Sequence, residues 1–294
     1  MPENVNKALE EAEKLVAALK GFDGTPTAHL GLLKQTDAVR RALEDPFDIM
    51  TRLAENLSCA GALYTLNGIG ALKMLPVDGG PLRATDVAAA ANVDISAVTR
   101  SFRLAVVNGI INETAPDVYA HNALSRAFMP EALGGFFIIV MDFMRSWVRL
   151  PEYFKKHTPK DLLDLRKSPF SFVEGKEGMT YYEVLNSDLE KRAIWNGTMQ
   201  AIEKNMPILG MFPFATLKDQ VQADPDRPFI VDIGGGKGQA MLRIETECPK
   251  FFGCKVVLQD LPVVIDNLNA EELPGITMMT YDIFSGPNPI KSRL

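Results

Sequence analysis

The stretch Pro228 to Gly238, P-F-I-V-D-I-G-G-G-K-G, sets a carboxylate and a run of glycines at the end of a short apolar segment. Phe229, Ile230, Val231 and Ile233 suit a strand buried in a parallel sheet. Gly234, Gly235, Gly236 and Gly238 remove every nearby Cβ, so the backbone there can approach a ligand closely. Spacing decides which ligand. A dinucleotide fingerprint requires G-x-G-x-x-G, and Gln239 or Met241, depending on register, stands where the last glycine belongs. A phosphate-binding P-loop requires Ser or Thr after Gly-Lys, and Lys237 is followed by Gly238 and Gln239. What fits is Asp232-x-Gly234-x-Gly236-x-Gly238, a flat turn beside an acidic residue with no requirement for phosphate. A lone turn of this kind also serves only to let a helix pack on a strand.

The downstream text favours the ligand reading. Lys255 to Gln259 forms a second apolar strand ending at Asp260, about the interval at which an acidic side chain meets ribose hydroxyls in a βαβ unit. Between the two strands, Met241, Leu242 and Ile244 recur at helical intervals over Gln239 to Glu247, and Cys248-Pro249 ends that helix. A third strand, Ile276 to Tyr281, ends at Asp282-Ile283-Phe284, where a carboxylate beside an apolar side chain suits a purine face and its exocyclic amine. The unit is β-α-β-α-β, and the chain is read as α/β.

In order and spacing, residues 168 to 284 resemble the plant and fungal small-molecule O-methyltransferases of the class I S-adenosylmethionine-dependent type. The resemblance rests on S-P-F at Ser168, Y-Y-E-V-L at Tyr181, W-N-G-T-M at Trp195, the glycine motif, L-Q-D-L-P at Leu258 and Y-D-I-F at Tyr281. It implies S-adenosyl-L-methionine as cofactor, with Asp232, Gly234, Gly235 and Gly236 near its methionine moiety, Asp260 on the ribose, and Asp282 with Ile283 at the adenine. It also implies that Met199 flanks a flat phenolic ring with Trp195 nearby, which a polarizable thioether suits. Trp195, Met199 and Ile202 equally read as the apolar stripe of a core helix. The acceptor implied is a small hydroxylated aromatic or polyketide-type metabolite.

The first half of the chain fits the same resemblance. Val5, Ala8, Leu9, Ala12, Leu15, Val16 and Leu19 mark an amphipathic helix broken by the tract Gly21 to Pro26. After Pro46, Ile49, Met50, Leu53, Ala54 and Leu57 mark another, and Gly61 to Leu75 is apolar nearly all round, as a buried helix must be. From Leu82, Thr85 and Ser96 are expected as N-caps of two short helices and Gly109 as a stop. Ile110-Ile111 and Val118-Tyr119, joined by a turn at Ala115-Pro116-Asp117, supply a small β-wing. The expected organisation is a helical, winged-helix-like dimerisation domain at 1–130, then linker helices and a partial Rossmann-like cofactor domain at 131–294. The joint falls near Phe128 to Gly135, with Met129-Pro130 and Gly134-Gly135 as breakers. A homodimer through the N-terminal domain is implied by the resemblance.

A winged helix raises a rival reading, a DNA-binding regulator. Phosphate contacts from Lys and Arg dominate affinity for DNA, yet the second helix of the pair offers only Arg100 and Arg103 and the chain carries a net charge of -6. Because fold does not fix chemistry, a non-catalytic cofactor-binding partner and a methyltransferase-like scaffold that guides a pericyclic rearrangement also fit these motifs. With 294 residues, 47% of them hydrophobic, two domains with substantial cores are expected. The run Phe136 to Met141 ends at Asp142, too short for a bilayer span of roughly 20 residues. The acidic start, with Glu3, Glu10, Glu11 and Glu13, does not read as a secretory leader, and Cys59, Cys248 and Cys254 suit neither a disulfide framework nor a metal cluster. A cytoplasmic protein without metal is expected.

Deprotonating a phenol requires a positioned base, usually His. His29, His121 and His157 all precede the glycine motif, whereas the resemblance implies a His-Asp-Trp element beyond a fourth strand. The chain reaches Lys291-Ser292-Arg293-Leu294 before any such strand, and the Ile230 strand is expected at an open sheet edge. It reads as a shortened form of a longer enzyme, and no catalytic residue is assigned.

Overall fold

The computed structural model describes residues 3–129, 133–205, 208–209 and 212–290. Of the positions named above, Pro130, the side chains of Glu3 and Ile202, and Lys291 to Leu294 lie outside them. Contacts divide the chain into two compact units, 44–202 and 1–43 with 203–294.

Helices α1 (Glu3–Lys20) and α2 (Pro26–Leu43) form an antiparallel hairpin in which Ala8 is buried and Gln35 Nε2 donates to Glu11 Oε2 at 2.7 Å. The break over 21–25 is as expected, but α2 is not among the expected elements. Its signal is Thr25, whose Oγ1 accepts from Ala28 N at 3.2 Å with Pro26 following as first helical residue.

In the unit 44–202, α3 (Pro46–Gly68) starts at Asp45, whose carboxylate accepts from Phe47 N and Asp48 N, while Asp48 accepts from Asp45 N. That reciprocal cap fixes one continuous helix. Its second half buries Cys59, Ala62, Leu63 and Leu66, and α4 (Ala71–Met74) continues the buried face with Ala71 and Leu72. Next come β1 (Leu82–Arg83), α5 (Ala84–Ala91), α6 (Ile95–Val107), β2 (Ile111–Ala115), β3 (Val118–His121) and α7 (Ala123–Ala127). The hairpin turns at Asp117, and its antiparallel sheet has the order β1-β3-β2. The expected caps each shift by two residues: Arg83 precedes α5 without a side-chain capping bond, and Asp94 caps α6 by accepting from Ser96 N at 2.8 Å. Gly109 stands just past the end of α6 with φ 70°. Phe102 stacks on Tyr119 at 4.3 Å, both fully buried, which seals α6 to the sheet.

The long helix α8 (Gly135–Lys156) follows, then α9 (Pro169–Val173), α10 (Tyr181–Asn186) and α11 (Leu189–Asn205). Gly135, expected as a breaker, instead opens α8. Tyr64 of α3 donates to its Asp142 at 2.9 Å, which ties α8 to the first half of the chain.

In the second unit, α12 (Lys218–Gln222) precedes β4 (Ile230–Ile233), α13 (Gln239–Glu247), β5 (Val256–Asp260), α14 (Pro262–Ile265) and β6 (Ile276–Thr280). The strands are parallel in the order β4-β5-β6, with Ile230 opposite Val256 and Val256 opposite Ile276. Val256, Leu258, Ile230 and Ile276 pack with Met241 and Ile244 of α13 into one core. Among the described residues β4 is an edge strand, and its Ile233 is 47% exposed. Among the described residues no helix is long and apolar enough to cross a membrane.

Candidate functional site

Parallel pairing brings the C-terminal ends of β4, β5 and β6 side by side, which is where ligands bind in open α/β sheets. After β4 the chain turns back at once: Gly234 N and Gly235 N both donate to Gln259 O, at 2.7 and 3.2 Å. Gly236 N donates to Asp260 Oδ2 at 2.9 Å, and Leu261 N to Oδ1 at 2.8 Å. The ribose candidate is thus locked against the glycine turn. Two of its roughly four lone-pair directions are filled, so it can still accept from hydroxyls.

The glycines fall into two groups. At Gly234 (φ 74°) an added Cβ would enter open space, and at Gly236 (φ 55°) it would meet only Gln239 Oε1 at 4.0 Å, so these two leave bare backbone uncovered. At Gly235 a Cβ would stand 2.8 Å from Asp232 Oδ2, and at Gly238 2.6 Å from Leu273 Cδ2. Those two exist for close packing: Gly235 makes room for the Asp232 carboxylate, and Gly238 lets α13 approach the sheet.

Asp232 Oδ2 is buried and has no hydrogen-bond partner. Burial, and then the charge of Asp260, push its carboxyl above the ordinary carboxylate range. An orphaned acceptor beside an open glycine turn calls for a donor, and the ammonium group and ribose hydroxyls of an adenosyl amino acid supply donors. The residues fit such a group. Asp282 sits beyond β6 with its Oδ1 accepting from Phe284 N at 2.9 Å, and Ile283 is 56% exposed. Asp232, Gly234, Gly235, Gly236, Asp260, Asp282 and Ile283 therefore all lie at the carboxyl ends of the three strands.

Trp195 and Met199 belong to α11 in the other unit, where both are half-buried. Trp195 meets Tyr181 edge-on at 5.3 Å, and Tyr181 lies 4.9 Å from Phe170 and 5.8 Å from Phe143. With Ile138 and Leu185 these rings enclose a cavity of about 20 Å³, room for a single water. Burial pushes the Tyr181 hydroxyl well above its ordinary range. Beside it runs an ionic network that no sequence spacing announces: Asp142 accepts from Tyr64, while Glu174 pairs with Arg145 and with Lys191, each at 2.9 Å. Burial, followed by the hydrogen bond to Asp142, pushes the Tyr64 hydroxyl up to about 12.

Two histidines have structural partners. His121 is buried between Leu72 O (3.0 Å) and Ser125 Oγ (2.9 Å). His157 stacks on Tyr153 at 4.1 Å and reaches Glu177 at 2.6 Å.

No family model matches the chain. Over 289 residues it is 32% identical to the O-methyltransferase hmp5 of Hypomyces subiculosus, covering 96% of this chain and 71% of that protein. It is 30% identical over 279 residues to the methyltransferase cfoD of Aspergillus candidus, covering 89% and 67%. Among solved structures, OxaC in complex with SAH and oxaline superimposes with TM-score 0.65 at 21% identity, covering 98% of this chain and 73% of that one. LepI in complex with SAM does so with TM-score 0.63 at 20% identity, covering 98% and 73%.

Proposed function

Because the chain belongs to the class I S-adenosylmethionine-dependent O-methyltransferase family, we propose that the turn after β4 recognises S-adenosylmethionine on behalf of methyl transfer to a small secondary metabolite. The observation that carries the reading is the buried, partnerless Oδ2 of Asp232 beside a glycine turn locked by Asp260. When bound, the cofactor supplies an electrophilic methyl group on a sulfonium. The bare backbone of Gly234 and Gly236 would lie under the amino-acid tail, and Asp232 would take its ammonium donor. Asp260 would accept from the ribose hydroxyls, already oriented by two backbone donors. Asp282 and Ile283 would border the adenine.

The acceptor reading rests on the aromatic cluster. Trp195, Tyr181, Phe170 and Phe143 make a surface suited to a flat hydroxylated ring, with Met199 on the same helix as Trp195. The cavity of about 20 Å³ must widen to admit one. His121 and His157 spend their ring nitrogens on structural partners, so neither is assigned as the base.

The winged-helix-like arrangement of α5, α6 and the hairpin serves self-association in this proposal. Leu53 and Leu57 of α3 and Val107 of α6 are exposed apolar side chains of the kind a second copy covers, which supports a homodimer. Against DNA, Arg103 spends its charge on Asp117 at 2.9 Å. A cytoplasmic location remains part of the same reading.

Ultraviolet cross-linking of methyl-labelled S-adenosylmethionine tests the cofactor assignment. Label is expected in the protein, removed by excess S-adenosylhomocysteine and retained with excess NAD. Labelling indifferent to S-adenosylhomocysteine would contradict it.

A further inference from the structure

His157 is the first residue past α8, and its backbone N–H donates to Tyr153 O at 3.0 Å. Its side chain is 11% exposed and lies flat on the Tyr153 ring at 4.1 Å, with Phe172 edge-on at 5.5 Å. Nδ1 stands 3.0 Å from the same carbonyl oxygen, and Nε2 stands 2.6 Å from Glu177 Oε1. Both partners are acceptors, since neither a carbonyl oxygen nor an ionised carboxylate has a proton to give. A neutral imidazole carries one N–H and one bare nitrogen, so either tautomer would set a lone pair against an oxygen. Only the imidazolium donates at both contacts. The carboxyl end of a helix favours a cation as well, because the last carbonyls point toward it.

The charges around this ring are mixed. Arg149 and Lys156 of α8 lie over the Phe172 ring at 5.3 and 5.1 Å and oppose a further cation. Asp161, Asp164 and Glu177 act on the stacked Tyr153 and favour one, Asp161 being shared with Lys167 at 2.7 Å. Lys176 is turned to Ser187 Oγ at 2.8 Å. Glu177 belongs to the segment 174–180 that joins α9 to α10, between Gly175 at φ 66° and Gly178 at φ 95°, where the chain can swivel. The segment ends at Thr180, whose Oγ1 caps α10 by accepting from Glu183 N, and Tyr181 follows with its ring beside Trp195. Arg166 also holds the segment, accepting from Gly178 N and donating to Gly178 O, each at 2.8 Å. Arginine keeps its charge, so among the described tethers of this segment His157 is the one whose residue type changes charge between pH 5 and 8.

We propose that His157 is a positioning residue acting as an imidazolium: it clamps Glu177 to the end of α8, fixes the entry of α10 and so the place of Tyr181 in the aromatic cluster, and loosens its hold as pH rises. Only the use of this clamp rests on the acceptor reading. The clamp itself is measured without acceptor or cofactor, so a failed acceptor assay would leave it standing. Magnetic resonance of the full chain, labelled with nitrogen-15 in histidine and tryptophan, reads the ring, and His157→Gln identifies its signals among three histidines. At pH 7.5 the ratio of doubly to singly protonated ring should fall about two- to five-fold in Glu177→Gln, the effect of one partly exposed charge. Hydrogen exchange of the segment 174–180, corrected for its intrinsic pH dependence, should quicken by about two- to five-fold from pH 6 to 8.5 in the wild type and show no such trend in Glu177→Gln. His157→Gln keeps a neutral donor toward Glu177 and should hold protection at one level across that interval. The Trp195 indole signal, identified with Trp147→Phe, should move over the same interval in the wild type and stay fixed in Glu177→Gln, since Tyr181 meets that ring edge-on. The Glu177 side chain is 41% exposed, so Glu177→Gln should melt close to the wild-type temperature. An unmoved ring ratio, or an exchange trend that is flat in the wild type or survives in Glu177→Gln, would overturn the clamp. A Trp195 signal that stays fixed in the wild type while the segment loosens would overturn the positioning role.

Discussion

Asp232 and Asp260 carry unequal burdens although both lie at the carboxyl-terminal side of neighbouring parallel strands. Asp260 is held by two backbone donors, whereas Asp232 Oδ2 is buried with none. Burial and then the Asp260 charge raise the Asp232 pKa above the unfolded value. A raised folded pKa contributes stability that is fully present below the unfolded pKa and is lost as pH rises through the folded one. Asp232→Asn should therefore stabilise the protein at pH 7, by about 1 kcal/mol, and the gain should shrink as pH falls toward the ordinary carboxylate range. The same variant should bind S-adenosylhomocysteine more weakly. Melting curves from pH 3 to 8 check the first part, and a gain independent of pH would contradict it. The glycine turn and Asp260 are legible in the sequence because the motif and the interval to the next strand end lie within one βαβ unit. The solitude of Asp232 Oδ2 is not, since it depends on which atoms pack around it. Nor is the Tyr64–Asp142 bond, which joins residues 78 apart in sequence.

Elements follow their local signals where the signals are complete. Helix α13 spans Gln239–Glu247 as the apolar spacing requires, and β5 and β6 lie within a residue of their expected bounds. Helix α2 escapes the sequence reading because Pro26 looks like the close of a breaker tract when it is the first helical residue after a Thr25 cap. The start of α8 is hidden because Gly134-Gly135 looks like a turn, and only the folded backbone shows that Gly134 is required there: a Cβ would run into Phe128 O. Packing also sets what substitutions cost. Gly238→Ala, at φ 76° and 2.6 Å from Leu273 Cδ2, should destabilise by about 1–3 kcal/mol. Phe102→Ala, which removes a fully buried ring stacked on Tyr119, should cost about 3–5 kcal/mol. Denaturant titration measures both, and a neutral Gly238→Ala would show that α13 can shift away from the sheet.

At the scale of the whole chain, the contacts gather 44–202 into one unit. Within it the bond from Tyr64 to Asp142 and the ion pairs of Glu174 with Arg145 and Lys191 tie α3, α8 and α11 together, which breaker residues alone do not reveal. Self-association belongs to this scale. Sedimentation of the full chain should show a dimer, and charged substitutions at Leu53 and Leu57, 52% and 63% exposed, should shift it to monomer. A wild-type monomer would contradict that assignment. The account as a whole turns on cofactor recognition at the strand ends, and calorimetric titration of the wild-type chain and Asp260→Ala with S-adenosylhomocysteine and with NAD tests it most directly. Wild type should prefer S-adenosylhomocysteine, and Asp260→Ala, lacking both the ribose acceptor and the lock on Gly236, should lose about ten-fold or more in affinity. Equal or tighter binding of NAD, or an affinity unchanged in Asp260→Ala, would contradict it.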